Sequence, residues 1–444
     1  MMDRVTIFRE KVKEYDVKFI RLLFTDLFGR LKSVEVPTSQ MEAVLDGQVM
    51  FDGSSIEGFV RIMEADMFLK PDLSTLRFLD LNAKGLKVAS LICDVYKTDG
   101  TPFEGDPRYI LKQAIEKMNG LGFEKFNIGV EPEFYLLKMD ENGQPTREVN
   151  DHESYFDLTS YEMASDCIRD IILSLEDIGF EVEAAHHEVG PGQYEINFKY
   201  SDVLNGCDNL QIYRHVVKSV ARKHNLFASF MPKPFPNKAG NGMHVNCSLT
   251  RADGENAFYD PNAELELSQT ALHWMGGIIK HARGLCAITN PIVNSYKRLT
   301  PGFEAPCYVA WSTENRSTFI RIPGTRGPGT RTEIRSVDVA ANPYLALAAI
   351  LHAGLDGIEN KIDPPAPTFI NLFALTRQER NEMGIINLPN SLKDALNALE
   401  DDELIKQSIG EHAYKKFVEA KLTEWNSYRY EVTEWELSRY LNKI

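Results

Sequence analysis

A helix followed by a strand recurs three times between residues 107 and 232, and this alternation limits the possible folds more than any other feature of the chain. The predicted helices cover residues 108–119, 166–178 and 210–224, and the strands that follow them cover 126–137, 180–189 and 227–232. Further helices are predicted over 264–288, from Asn342–Pro343 onward, and over most of the chain after Leu392. The pattern predicts a large domain that mixes helices and strands.

The first hundred residues are strand-rich by comparison. Residues 17–24 and 31–36 flank a short turn and predict a hairpin, and 87–95 predicts another strand. Asp106 followed by Pro107 is a typical helix start, since an N-cap residue precedes a proline at the first helical position. We therefore predict a small domain over residues 1–103 and a large catalytic domain over residues 104–444.

Charge and cysteine content exclude several classes of protein. The 444 residues include 49 basic and 64 acidic ones, a net charge of −15, which argues against a general nucleic-acid-binding surface. No apolar run reaches the roughly 18 residues of a membrane span, and the N-terminus carries charges where a signal peptide is apolar. Six cysteines lie far apart with no Cys-X-X-Cys pair. These features predict a cytoplasmic protein with reduced thiols and no membrane partner.

Pairs of glutamates occupy single faces of predicted strands. Glu131 and Glu133 are two apart and share a face, and Pro132 between them predicts that this strand lies at an edge or ends there. A four-residue Gly-Pro-Gly-Gln hairpin loop would place Glu188 directly opposite Glu195. Opposed carboxylates repel unless a cation binds them, although a register shift of one residue would separate the two faces.

Two further strands carry polar side chains on one face. His244, Asn246 and Ser248 alternate with apolar residues. Arg331, Glu333 and Arg335 repeat the pattern, and we expect Glu333 to lie between these two guanidiniums. Carboxylates with a single imidazole favour Mg²⁺ or Mn²⁺ over zinc. Each pattern alone is also typical of a solvent-exposed strand face, so the residues by themselves leave a divalent-metal site and an ordinary polar surface as alternatives.

Arginines are frequent between residues 296 and 335, where several have apolar neighbours, and arginine suits recognition of carboxylate or phosphate groups. Neither a P-loop nor a Gly-X-Gly-X-X-Gly dinucleotide motif occurs. If a nucleotide binds, metal ions and arginines must therefore hold its phosphates, as phosphoryl transfer requires. A solvated basic surface is the alternative interpretation.

Taken together, the motifs closely resemble those of type I glutamine synthetases over essentially the whole chain. The motifs are FDGSSIEGF, EPEF, HHEVGPGQYEI, GNGMHVN, NSYKRLTPGFEAP, NRSTFIRIP and RTEIRSVDVAANPYLALAAILHAGLDGI. The resemblance implies an α+β fold, with a small β-grasp-like N-terminal domain before a catalytic domain. In that domain an antiparallel-rich curved sheet forms a funnel flanked by helices. It also implies a homododecamer of two hexameric rings with active sites shared between neighbouring subunits.

The implied reaction joins ammonia to L-glutamate through a γ-glutamyl phosphate, with ATP as a substrate and two or more Mg²⁺ or Mn²⁺ ions per subunit. By position, Glu133, Glu188 and Glu195 resemble the ligands of one ion, and Glu131, His244 and Glu333 those of the other. The resemblance assigns glutamate binding to Gly240, Arg298, Glu304, Arg316 and Arg335. It assigns ATP binding to Glu183, Tyr200, Asn246, Ser248, Arg321 and Arg331, and catalytic roles to Asp52, Asp66, Glu304, Arg316 and Arg335.

Three positions bear on how this chain differs from relatives. Ala239 stands where the family usually has asparagine, which affects one glutamate contact. Phe373 stands where adenylylated relatives carry tyrosine, so adenylylation at this position is excluded. Arg61 aligns with an arginine of the subtype that glutamine inhibits, which implies feedback inhibition.

Two other functions remain as minor alternatives. A ligase that joins glutamate to a larger amine would keep the metal and ATP sites, but Asp52, Asp66 and Glu304 would crowd a bulky amine. A regulatory protein that binds nitrogen-responsive transcription factors is the other, alone or beside catalysis. The complete set of expected metal ligands argues against loss of catalysis.

Overall fold

The structure, a computed structural model, describes residues 3–54, 56, 58, 66–79, 85–158, 162–303 and 305–443. Among these residues, two β-sheets and the helices around them account for most of the chain. No helix of the described chain is both long and apolar enough to cross a membrane. All six cysteines are buried and free, which confirms the predicted reduced thiols.

Within the described residues, the N-terminal part forms a six-stranded sheet in the order β2-β1-β6-β4-β3, with β5 also paired to β6. Its strands are β1 (Phe19–Thr25), β2 (Leu31–Pro37), β3 (Val49–Asp52), β4 (Asp66–Pro71), β5 (Arg77–Phe78) and β6 (Val88–Lys97), and its helices are α1 (Arg4–Glu14) and α2 (Met41–Leu45). The β1–β2 pair confirms the predicted hairpin, whereas β1 and β6 run parallel. This mixed sheet around its own apolar core is the expected β-grasp-like domain.

Helix α3 (Pro107–Gly120) begins where the sequence predicts, because Asp106 caps it by accepting the amide of Arg108 at 3.0 Å. The other oxygen of Asp106 accepts the amide of Val95 on β6 at 3.0 Å. One buried carboxylate therefore joins the end of the N-terminal sheet to the first helix of the larger unit. The change of architecture falls between Lys97 and Pro107, the segment that holds the predicted boundary after residue 103.

The larger unit is built on a curved sheet with the order β14-β15-β16-β13-β7-β10-β9, ten-stranded within the described residues. Its strands are β7 (Phe123–Met139), β8 (Pro145–Val149), β9 (Val182–His187), β10 (Gln193–Phe198), β11 (Ser201–Asp202), β12 (Leu226–Ser229), β13 (Met243–Arg251), β14 (Trp311–Ser312), β15 (Ile320–Arg321) and β16 (Thr332–Ile334). Its pairings are antiparallel except β14–β15, as expected for the catalytic domain.

Helices pack against this sheet and form the main apolar core. They are α4 (Glu162–Asp177), α5 (Val203–Lys223), α6 (Gln269–Thr289), α7 (Ser295–Arg298), α8 (Pro343–Asn360), α9 (Arg377–Glu382), α10 (Leu392–Glu400), α11 (Glu403–Ser408), α12 (Glu411–Tyr430) and α13 (Glu434–Tyr440). The apolar helix α8 is buried on nearly all sides against α6. The prediction that one helix covers 264–288 is wrong at its start, because Leu265 has a φ of +57° and α6 begins after its N-cap Ser268.

Strand β7 lies at the centre of the sheet, so the prediction that Pro132 marks an edge or an end is wrong. Glu133 donates its amide to the carbonyl of Gly242 on the β13 side, so the proline nitrogen faces the opposite side. There, β11 pairs with residues 127–128 and β10 with residues 133–135, and Pro132 falls between them. A proline is tolerated in this central strand because its missing N–H faces a gap between two partner strands.

Candidate active site

The centre of the sheet brings four acidic or imidazole side chains together by register alone. His244 on β13 lies opposite Glu131 on β7, and Glu195 on β10 lies opposite Glu133. Because residues two apart share a strand face, both pairs project on the same side of the sheet. The burial of β13 confirms the predicted alternation, with His244, Asn246 and Ser248 partly exposed between buried apolar residues.

One group of possible metal ligands, here the His244 cluster, consists of Glu131, His244 and Glu333. Nδ1 of His244 lies 3.2 Å from Glu131 Oε2 and 3.8 Å from Glu333 Oε1. One ligand atom from each residue lies within 4.8 Å of the other two. Burial alone would raise the pKa of Glu131, but hydrogen bonds from His244 and Asn246 outweigh it and hold the pKa below its ordinary value. The cluster thus keeps an ionised carboxylate ready for a cation.

Glu333 is buried between two arginines, of which Arg335 is one that the sequence predicts and Arg321 is not. Arg321 donates to Glu333 Oε2 at 2.7 Å, and Arg335 forms a short ion pair with Oε1. Arg331 instead donates through Nε to Asn246 Oδ1 at 2.9 Å. The expectation for Arg331 is wrong because β15 pairs with β16 so that Arg321 lies opposite Glu333, a contact that local spacing does not reveal.

The second group, here the His186 cluster, consists of His186, Glu188 and Glu195. His186 Nε2 lies 3.2 Å from Glu195 Oε1, and its Nδ1 lies 3.5 Å from Glu188 Oε1. The predicted hairpin register is wrong by two residues, because His186 pairs with Glu195. Glu188 therefore stands diagonal to Glu195, and a shift of two keeps both carboxylates on one face.

Glu133 completes this second group from the central strand. Its carboxylate accepts the amide of Gly242 at 2.8 Å and the side-chain amide of Gln193 at 3.0 Å. Burial and the nearby Glu133 and Glu195 carboxylates raise the pKa of Glu188 to about 8. A hydrogen bond to Glu195 is the main cause that raises the pKa of His186 to about 9. Three crowded carboxylates of this kind are the donor set that a hard divalent cation would stabilise.

Both clusters line a cavity of about 470 Å³ whose remaining wall is cationic. Its other lining residues include Tyr155, Gly240, Arg298, Arg316, Arg321 and Arg335. Arg298 is 3% exposed and donates to the carbonyls of Ser336 at 2.7 Å and Arg335 at 3.1 Å. A Cβ at Gly240 would lie 2.4 Å from the carbonyl oxygen of Pro232, so only glycine fits there. The cavity thus combines a carboxylate-lined side with arginines suited to anionic substrates.

A second cavity, of about 600 Å³, adjoins the first, and both are lined by Glu131. It holds five residues that the sequence assigns to nucleotide binding: Glu183, Tyr200, Asn246, Ser248 and Arg331. Arg321, the sixth, lines the first cavity instead. Glu131 of the His244 cluster therefore lies at the wall that the two cavities share.

Asp52 and Asp66 lie apart from both cavities of the described chain. They face each other across strands β3 and β4 of the N-terminal sheet, and Asp52 is exposed. Hydrogen bonds from Ser54 hold the pKa of Asp52 below its ordinary value. Glu304 and Arg61 lie outside the described residues.

Sequence reasoning missed three residues that this site contains. His186 precedes Glu188 by two residues and shares its face, so the same alternation rule could have found it. Gln193 is fully buried and donates to Glu133, Gly240 and Asn241, a role that its turn position concealed. Tyr155 comes from an irregular segment, where no periodic signal exists.

Comparisons with known proteins agree with this geometry. Residues 16–98 match the family model described as glutamine synthetase, beta-Grasp domain, and residues 104–440 match glutamine synthetase, catalytic domain. The chain is 56% identical to a glutamine synthetase of Staphylococcus aureus (strain MW2) and 55% to one of Staphylococcus epidermidis, over 98% of this chain and 97% of each relative.

Solved structures are similar over the whole length. A chain of a GmaS–ADP complex is 35% identical with a TM-score of 0.89, and the match covers 100% of both chains. The cryo-EM structure of Plasmodium falciparum glutamine synthetase is 26% identical with a TM-score of 0.87, covering 99% of both chains. The similarity therefore includes both sheets and the helices between them.

Proposed function

The chain belongs to the glutamine synthetase family, in its bacterial type I branch, and we propose that it ligates ammonia to the γ-carboxylate of L-glutamate with ATP. The γ-phosphoryl group passes from ATP to the carboxylate, and ammonia then displaces phosphate to give glutamine. The observation that best supports this function is the shared wall of the two cavities. There, Glu131 lines both spaces, and the other carboxylate and imidazole side chains of the two clusters line the space that also holds the arginines.

Two divalent ions fit the donor sets of the two clusters. Glu133, Glu188 and Glu195 would hold one ion, with His186 beside them, and Glu131, His244 and Glu333 would hold the other. Carboxylate oxygens with one imidazole suit Mg²⁺ or Mn²⁺. Such ions, when bound, neutralise charge on the phosphates and on the γ-carboxylate.

The arginines of this chain provide fixed positive charge around the reacting groups. We assign Arg298 to the α-carboxylate of glutamate, because backbone carbonyls anchor its guanidinium in the first cavity and the stem of its side chain packs beside Gly240. Arg316 and Arg335 would stabilise the transferring phosphoryl group. Arg321 and Arg331 would contact ATP phosphates, since Arg321 contacts Glu333 of the His244 cluster and Arg331 lines the second cavity. Positioning and charge neutralisation of this kind carry most of the catalysis in phosphoryl transfer.

Ammonia needs an acceptor for the proton of ammonium, and we assign this role to Asp52 with support from Asp66. Neither lines the cavities of its own chain, so each site would receive them from a neighbouring subunit. A ring of subunits meets that requirement, because a head-to-tail interface places one chain's N-terminal sheet against the next chain's cavity. From the resemblance to the family we propose that the rings are hexameric and pair into a dodecamer, and that glutamine inhibits the enzyme through Arg61.

An assay of glutamine formation tests the function directly. Purified enzyme with ATP, glutamate, Mg²⁺ and ammonium should release one ADP and one phosphate for each glutamine, and EDTA should abolish the activity. Methylamine, longer alkylamines and polyamines at equal concentration are the comparison. Preference for an alkylamine over ammonium would replace this function with a glutamate–amine ligase, and no metal-dependent ADP release with any amine would refute both.

A further inference from the structure

Lys233 connects two loops that line the first cavity near Gly240 and Arg298, where we propose that glutamate binds. One wall is the segment 237–240, and the other contains Gly302, Phe303 and Ala305. The side chain of Lys233 contacts a residue in each of these two loops. Its Nζ donates to the carbonyl of Lys238 at 2.5 Å and lies 3.5 Å from the centroid of the Phe303 ring.

The backbone of Lys233 is held in place by a single asparagine. Oδ1 of Asn294 accepts the amide of Lys233 at 2.7 Å, and Nδ2 of Asn294 donates to its carbonyl at 3.1 Å. Asn294 also directly precedes the short helix α7, which carries Arg298. The ammonium group therefore stands at a fixed distance from the proposed glutamate clamp as well as from both walls.

The fold gains little stability from this buried charge. Lys233 is only 6% exposed, and no carboxylate of the described chain lies within ion-pair distance of its ammonium group. Burial, with Arg298 nearby, lowers the pKa of Lys233 to about 8. A methionine of similar length would fill the same space without the cost of burying a charge, so the lysine calls for a reason other than stability.

We propose that Lys233 is a positioning residue that fixes the spacing of these two walls and so keeps water away from the acyl phosphate. The cation–π contact holds Phe303, and the hydrogen bond holds the carbonyl of Lys238, against one rigid point. This inference rests on the proposed function, because it concerns the fate of γ-glutamyl phosphate.

The consequence of a looser wall follows from the chemistry of the intermediate. Water that reaches γ-glutamyl phosphate adds to the acyl carbon, the acyl C–O bond breaks, and phosphate leaves. Glutamate is regenerated, one proton of water goes to the departing phosphate, and the other is released to solvent. ATP is then consumed without glutamine formation, so the ratio of phosphate to glutamine measures how well the walls exclude water.

The test compares Lys233→Met with Lys233→Arg and wild type. Lys233→Met should raise the phosphate-to-glutamine ratio above one and raise the KM for glutamate about tenfold, as expected for loss of a buried cation–π contact. The KM for ATP and the melting temperature should stay near wild type. Lys233→Arg should bring the phosphate-to-glutamine ratio most of the way back to one. Lys406→Met is the matched control, since Lys406 also combines a carbonyl and a tyrosine ring but on the remote helix α11.

Separate outcomes refute the separate claims. Wild-type enzyme that forms no glutamine refutes the proposed function itself. Wild type with a ratio of one and Lys233→Met with the same ratio and the same glutamate KM refute the role of Lys233. A third outcome is that Lys233→Met unfolds at a lower temperature yet keeps a phosphate-to-glutamine ratio of one where it is folded. That result would make Lys233 a structural residue and would also refute the proposal.

Discussion

Glu188 is a residue at which function and stability oppose each other. It lies close to Glu133 and Glu195, and burial together with these like charges disfavours its ionised form. His186 offsets only part of this repulsion, because it contacts Glu195 more closely than Glu188. Its pKa of about 8 keeps Glu188 largely protonated in the metal-free protein at neutral pH, so an amide there costs the fold little but removes a ligand from the metal site.

Glu188→Gln should therefore have opposite effects on folding and on metal binding. In metal-free protein at neutral pH, the melting temperature should equal or exceed that of wild type. Affinity for Mn²⁺ should fall at least about tenfold, or about 1.4 kcal/mol. Thermal unfolding with and without Mn²⁺, and calorimetric titration of the metal, measure the two effects.

Glu181→Gln is the control for this change. Glu181 forms an exposed ion pair with Lys199 outside both cavities, so both properties should stay at wild-type values. Unchanged Mn²⁺ affinity in Glu188→Gln would remove Glu188 from the metal site.

Strand periodicity predicted the faces of these residues but not their partners. Glu131 shares a strand face with Glu133, and His244 shares one with Asn246, because residues two apart in any strand point to the same side. The Glu188–Glu195 register depended on the hairpin loop, where the chain differs from the predicted turn by two residues. The contact of Glu333 with Arg321 comes from strands twelve residues apart in sequence, and no local rule gives it.

At the scale of elements, one buried arginine joins the N-terminal sheet to the helices of the catalytic unit. Arg108 at the start of α3 is 2% exposed and contacts three carboxylates. It donates to Asp94 on β6 at 2.7 Å, to Asp72 after β4 at 2.8 Å, and to Asp208 on α5 at 2.9 Å. Loss of its guanidinium would leave Asp72 and Asp208 without their main counter-charge, whereas Asp94 would keep its ion pair with Lys112.

Arg108→Met should lower the free energy of unfolding by roughly 3–5 kcal/mol, the usual effect of breaking a buried ion pair by removing one partner. Denaturant titration measures it. Arg4→Met is the control, because Arg4 approaches the same Asp72 only to 4.0 Å and its side chain is 70% exposed, so about 0–1 kcal/mol is expected. Equal effects of the two substitutions would contradict the role given to Arg108.

The same ion pairs make the free energy of unfolding fall at acidic pH. Burial alone would raise the pKa of Asp72, but Ser74 and Arg108 outweigh it and lower the pKa to about 2. A carboxyl with a lowered pKa adds stability above its unfolded value of 3.8, and this stability is lost as the pH falls toward 2. Arg108→Met should therefore show a smaller loss of stability over that range than wild type.

The elements themselves were largely predictable, with errors where tertiary contacts overrode a local rule. The Asp106 cap and the β1–β2 hairpin depend on neighbouring residues and were correct. Pro132 was assigned to an edge because proline lacks a ladder donor, yet β7 is central and the missing donor faces a gap between β11 and β10. Which strands flank a given residue depends on distant parts of the chain.

At the scale of the whole molecule, the residues of the proposed site lie in two separate parts of the chain. The cavities lie on the curved sheet, while Asp52 lies on β3, the last strand in the order of the N-terminal sheet. Within the described residues, one edge of β3 has no partner strand, and Asp52 is exposed at its end. Sequence periodicity carries no signal for such an arrangement, because the residues that meet would belong to different copies of the chain.

Mixed oligomers of two inactive variants test whether sites are shared. Asp52→Ala should lose glutamine formation while it still binds ATP, and Glu188→Gln should lose it through the metal site. In a ring of both variants, a cavity of an Asp52→Ala subunit that faces the N-terminal sheet of a Glu188→Gln subunit has every required group. Random co-assembly makes about a quarter of the interfaces complete.

Co-expressed variants should therefore recover up to about that share of wild-type activity, whereas proteins purified separately should recover none until their subunits exchange. No recovery in verified mixed oligomers would mean that Asp52 acts within its own chain or not at all.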